Sequence, residues 1–139
     1  MSSISVSTFL RRVLLADALV SLAAGAVMAL GGFWLQGVLK LPTVLLVPAG
    51  LSLFVYAALV WGLSREATLP RAAVWLVIGC NVVWAIDCVA IAAGVWFAPN
   101  LLGQAFLGAQ VLTVLVFAEL QFMGLRRAGA GRHGQGQLA

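Results

Sequence analysis

Three acidic residues interrupt otherwise apolar sequence: Asp17 follows Val13-Leu14-Leu15-Ala16, Asp87 follows Trp84-Ala85-Ile86, and Glu119 follows Val116-Phe117-Ala118. No Lys or Arg lies within the same apolar stretches to offset them. An ionisable side chain in hydrocarbon costs about 2.5–3.5 kcal/mol near a helix centre, so each acid needs a reason to be there. The chemistry open to such a carboxyl group is narrow: it takes up a proton, binds a cation, or receives a hydrogen bond from a neighbouring helix.

Depth separates the three. Asp17 is five residues past Arg12, about 7.5 Å along a helix, and Glu119 is seven residues before Arg126, about 10 Å. Both are expected near the inner interface, as hydrated acids or as a polar layer with Tyr56 and Ser21 that accepts a proton or a cationic group. Asp87 is 16 residues past Arg71, about 24 Å, and ten residues short of Phe97. Gln110, 16 residues before Arg126, falls at the same level. A protonated Asp87 donating to Gln110 is one reading; a proton or cation site, or a contact for a partner's cationic group, is the other. Asn81 is expected near mid-membrane as interhelical glue.

These residues must be positioned by elements that the composition dictates. Of 139 residues, 63% are hydrophobic and 9% charged, against about 25% charged in soluble domains. Apolar stretches at 13–35, 44–63, 72–97 and 101–125 each meet the roughly 20 residues needed to cross about 30 Å of hydrocarbon. Lipid offers no partners to free backbone groups, so helices are required, and runs such as Val13-Leu14-Leu15 lack the alternation of a barrel. The expected fold is all-α: one bundle of four transmembrane helices over residues 1–127, followed by a flexible Gly-rich tail at 128–139. The first stretch continues past Ala26 and contains Asp17, which favours a retained helix over a cleaved signal. The lipid bilayer is the first partner.

Arg11, Arg12, Arg65, Arg71, Arg126, Arg127 and Arg132 fall on one side of such a bundle and only Lys40 on the other. The positive-inside rule then predicts both termini in the cytoplasm and a multi-pass protein of the inner membrane. Phe33, Trp34, Trp96 and Phe97 mark the outer interface, and Trp61 and Trp75 the inner one. Asn100 is a candidate N-cap for the last helix. Ser21, Gly25, Ala29 and Gly32 form a small-residue stripe on the first helix, matched by Asn81, Ala85, Cys88 and Ala92 on the third. Such stripes let backbones approach closely, within the bundle or between copies.

Much chemistry is excluded. Cys80 and Cys88 are eight residues apart on one helix, about 12 Å, too far for a disulfide. His133, the only histidine, lies in the tail, so no catalytic, cofactor or His-ligated metal site is expected within the membrane. No phosphate-binding loop or dinucleotide fingerprint is present, and no extramembrane basic domain exists to bind nucleic acid. An enzyme is not expected. The Arg-led helices, the Asn81-Val82-Val83-Trp84-Ala85 run and the Ala118-Glu119-Leu120-Gln121 run before the terminal arginines resemble small uncharacterised four-helix proteins of bacterial inner membranes, a resemblance that implies no activity. Two functions stay open. One is a non-enzymatic accessory or assembly subunit that docks on a membrane-protein partner. The alternative is a small homo-oligomeric proton-coupled transporter or channel, with Asp87 as coupling site and Asp17 and Glu119 at its inner mouth.

Overall fold

The chain is a polytopic helical membrane protein. Its structure, a computed structural model, describes residues 2–136; the side chains of Arg132, His133 and Gln135 and residues 137–139 lie outside the described residues. The elements run β1 (Ser3–Ser5), α1 (Thr8–Leu30), α2 (Gly32–Leu39), α3 (Thr43–Arg65), β2 (Thr68–Pro70), α4 (Arg71–Ala92) and α5 (Leu101–Gly136). Four helices, α1, α3, α4 and α5, are long and apolar enough to cross a membrane.

Several boundaries differ from those expected, each for a local reason. The first span is not continuous over 13–35. It begins at Thr8, where the Ser7 hydroxyl oxygen accepts from the Leu10 amide at 3.1 Å. It breaks at Gly31 before the short α2, which stops at Lys40 in the left-handed region, φ 57°. The third span ends at Ala92 rather than at residue 97, and Gly94 turns the chain at φ 81°. Asp87 is therefore five residues, about 7.5 Å, from the end of its helix and not deep within it. The last helix runs on past residue 125 into the glycine-rich segment as far as Gly136. Asn100 caps it as expected, its Oδ1 accepting from the Gly103 amide at 2.8 Å, while its Nδ2 donates to the Val38 carbonyl at 2.7 Å.

The strands β1 and β2 are not among the elements expected from the sequence. They pair antiparallel, Ile4 opposite Leu69, and bury both side chains at the end of the bundle that carries the chain termini, with Leu10, Leu14, Val74 and Leu125. The segment before the first span is thus part of the core. Among the described side chains, six arginines (Arg11, Arg12, Arg65, Arg71, Arg126 and Arg127) lie around this end. Arg65, Arg126 and Arg127 stack over Trp61, Phe122 and Phe9 at 4.9, 5.8 and 4.7 Å, holding the cations beside aromatic rings.

Helix packing sets the shape of the interior. α1 lies along α3, α5 along α4, and the two pairs join through α1 and α5, whereas α3 and α4 scarcely touch. The third and fourth spans, joined by a short connection, form the α4–α5 pair. Gly25 and Gly32, both buried, face α3: Gly25 meets the Gly50 backbone, and Gly32 meets Val47, Thr43 and Leu46. The first stripe therefore packs on α3 and not on the second stripe. Asn81, Ala85 and Cys88 are buried on α4, with Ala92 half-buried.

Candidate functional site

Residues on one face of each spanning helix meet at Asp17. On α1, Leu10, Leu14, Asp17, Ser21, Gly25 and Met28 are buried at intervals of three and four residues, so helical periodicity itself turns Asp17 inward. Asp17 is 1% exposed. Its Oδ2 accepts from the Tyr56 hydroxyl of α3 at 2.8 Å, Asn81 Nδ2 of α4 at 3.0 Å and Gln121 Nε2 of α5 at 2.6 Å. Its Oδ1 accepts from the Ser21 hydroxyl, one turn along α1, at 3.3 Å. Asn81 Nδ2 also donates to Gln121 Oε1 at 3.1 Å, which ties α4 to α5 beside the carboxylate.

Three donors converging on one carboxylate oxygen suit the ionised form, which is acceptor-only. No Lys or Arg lies in the span interiors, so uncharged dipoles from all four helices carry the stabilisation. Hydrogen bonds to a charged group contribute about 1.5–3 kcal/mol each, and more of that strength survives where water is excluded. Among the described residues every buried side-chain nitrogen and oxygen has a partner. The site lies where two apolar clusters meet, one containing Ala18, Val60, Ile78 and Ala118, the other Met28, Leu53, Cys88 and Leu107.

Tyr56 supplies the contact from α3 to this carboxylate. Tyr56→Phe keeps the ring and removes one charge-assisted bond, so unfolding of the purified protein in mixed micelles is expected to become easier by about 1.5–3 kcal/mol. An unchanged denaturation midpoint would mean that the hydroxyl bond contributes nothing.

The polar layer expected from Asp17, Tyr56 and Ser21 is formed, and Asn81 and Gln121 complete it. Glu119 is not in it: its side chain is exposed. Glu119 and Gln121 are two residues apart, roughly 200° around α5, so only one of them can face the core. The sequence signal was present in the buried set Ala118, Gln121 and Leu125 at intervals of three and four. Asp87 and Gln110 do not bond to each other. Gln110 Oε1 accepts from the Trp84 indole at 2.9 Å, one turn of α4 before Cys88, and Asp87 is exposed at the edge of a cavity.

Two cavities meet at the Trp84–Gln110 pair. The larger, 290 Å³, is lined by Asp87, Trp84 and Cys88 of α4, Gln110 and Phe106 of α5, apolar residues of α3, and Trp96. The smaller, 180 Å³, is lined by Ser21, Ala24, Leu53 and Thr113 among others, and shares Trp84, Phe106 and Gln110 with the first. The Trp84–Gln110 hydrogen bond thus stands between Asp87 on one side and Ser21, bonded to Asp17, on the other. Cys80 is exposed and Cys88 buried, both as free thiols. Among the described residues no three His, Cys, Asp or Glu side chains gather as a metal site.

These features define a multi-pass membrane protein with an intramembrane polar network centred on a buried carboxylate. Comparison with family models, curated proteins and solved structures returns no match, so the geometry of the site carries the functional argument.

Proposed function

We propose that this protein is a small proton-coupled transporter in which Asp17 is the proton-accepting group. The observation that carries this reading is the convergence of Ser21, Tyr56, Asn81 and Gln121 on one fully buried carboxylate. Protonation converts an acceptor-only group into one that must donate. At Oδ2 a proton displaces one of three donors, and at Oδ1 it requires the Ser21 hydroxyl to turn from donor to acceptor. Either event changes bonds that hold α3, α4 and α5 to α1, so proton occupancy is linked to helix arrangement.

The accessory-subunit reading drew on small-residue faces, little extramembrane mass and the lack of a catalytic set; Gly25 and Gly32 are buried against α3, which takes away the first of these supports. Cavities of 290 and 180 Å³ within one protomer also remove the need for a pore between copies. In this proposal the arginine-ringed end faces the cytoplasm of a bacterial inner membrane, following the positive-inside rule, and Asp17 replaces Asp87 as the coupling residue.

Proteoliposomes carrying an internal pH dye test the reading under an inside-negative potassium diffusion potential. Wild-type protein is expected to take up protons faster than protein-free vesicles, and Asp17→Asn to fall to the protein-free rate. Asn keeps the size of Asp and one acceptor oxygen, so a folded variant is expected. Equal uptake by wild type and Asp17→Asn would overturn the proposal.

A further inference from the structure

Asp87 and Asp17 stand in opposite situations. Asp17 has four hydrogen-bond donors; Asp87, among the described residues, has no hydrogen bond and no ion pair. It is nevertheless a carboxylate on a membrane-spanning helix, about 7.5 Å from the end of α4, at the edge of a 290 Å³ cavity. An acid facing lipid without a partner is unfavourable, and its cost falls once a cation is brought to it.

The cavity beside Asp87 defines what that cation looks like. Its walls are Met28, leucines of α3 and α5, Ile91 and the rings of Trp84, Trp96, Phe97 and Phe106. Gln110 and Asp87 are its polar side chains. Indole faces attract cations through their quadrupoles and also bury apolar surface. The volume lies near the lower end of small-molecule pockets, which span about 300–1,000 Å³. A position close to the helix end, beside the aromatic Trp96 and Phe97, suits a molecule that partitions into the membrane interface. Among the described residues Lys40 is the only basic one at that end of the bundle and does not pair with Asp87, so none of their cations competes for the site.

We infer that the cavity between α3 and α4 binds a small lipophilic cation, an amine or quaternary ammonium with an apolar body, whose positive charge is met by Asp87. As the cargo of the transporter proposed above, this ligand class rests on that reading. The cavity adjoins the smaller one at Trp84 and Gln110, and the smaller one reaches Ser21. A ligand that disturbs the Trp84–Gln110 bond therefore acts on the wall of the cavity that reaches Ser21, whose hydroxyl donates to Asp17.

Equilibrium binding tests the site without any proton gradient, so its outcome is independent of the flux experiment. The full chain in nanodiscs of zwitterionic lipid is titrated by calorimetry with 4-phenylbutyltrimethylammonium, and with its uncharged isostere in which carbon replaces nitrogen. The cation is expected to bind saturably, and the isostere and the Asp87→Asn variant to weaken binding by about tenfold or more. Ala49→Phe, which fills the cavity from α3, is expected to abolish binding while Asp87 remains. Asp17→Asn is expected to retain it. Absence of saturable binding to wild type, equal affinity for cation and isostere, or undiminished binding by Asp87→Asn or by Ala49→Phe overturns the inference. Because Asp87 has no partner to lose, its removal is not expected to impair folding, and elution profile and thermal midpoint confirm that for each variant. Cation binding with no Asp17-dependent proton uptake would leave this site standing and sink the transport reading; uptake without binding would do the reverse.

Discussion

Asp17→Ala is expected to destabilise the bundle by about 3–5 kcal/mol, measured as a shift in reversible unfolding by dodecyl sulfate in mixed micelles. The substitution deletes the common acceptor of four donors. Asn81 and Gln121 keep the bond between them, and the Ser21 hydroxyl can turn back to a carbonyl of its own helix. The Tyr56 hydroxyl and the second hydrogen-bonding capacity of both amides are left without partners where water does not reach, and each such group costs about 1–3 kcal/mol. A combined variant separates function from stability: Asp17→Leu, Tyr56→Phe, Asn81→Leu and Gln121→Met together replace the whole network by apolar side chains. Its stability is expected to return to the wild-type level or above, because a buried polar cluster is often matched by well-packed hydrophobic groups once every member is replaced. Its proton uptake is expected to stay at the protein-free rate. A protein that retains the network only for folding would behave differently, with the combined variant at least as unstable as Asp17→Ala.

Helical periodicity explains what could be read in the sequence and what could not. The four spans follow from composition, since a long run of apolar residues in lipid has one backbone solution. Asp17 was readable near the inner end because Arg12 precedes it by five residues, and Ser21 and Tyr56, each nine residues from an arginine, fall about one turn deeper. Depth says nothing about azimuth, and azimuth decided the rest. Glu119 has a depth like that of Asp17 yet points out of the bundle, while Gln121 points in. For Asp87 the error lay in length: a span drawn to Phe97 made the acid look central, whereas α4 stops at Ala92 and the remaining residues turn through Gly94. The β1–β2 pairing was hidden for another reason. Three-residue strands carry too little pattern to register, and Ile4 and Leu69 are separated in sequence by the whole of α1, α2 and α3.

The close crossing of α1 and α3 leaves no room for a side chain at Gly50, and Gly50→Val is expected to prevent the bundle from assembling. A Cβ at Gly50 would lie 2.6 Å from the Ala29 amide nitrogen, 2.7 Å from the Gly25 carbonyl oxygen and 3.0 Å from the Met28 Cβ. Two of these three atoms are backbone, so no rotamer change relieves the overlap. Lipid gives the helices no hydrophobic reason to stay together, and van der Waals contact with interhelical hydrogen bonds must hold them. Parting α1 from α3 loses the first and strains the second, because Tyr56 reaches Asp17 only across this interface. Gly50→Ala, with one added methyl, is expected to cost about 1–3 kcal/mol, the usual range for overpacking; Gly50→Val is expected to yield protein that inserts but elutes as aggregate. Gly62→Val supplies the control, since a Cβ there meets nothing within 4 Å and the same change in helix propensity is made without the steric contact. Should Gly50→Val match Gly62→Val in yield and denaturation midpoint, the glycine contact does not hold α1 against α3, and the geometry of the Asp17 network must be set by α4 and α5 alone.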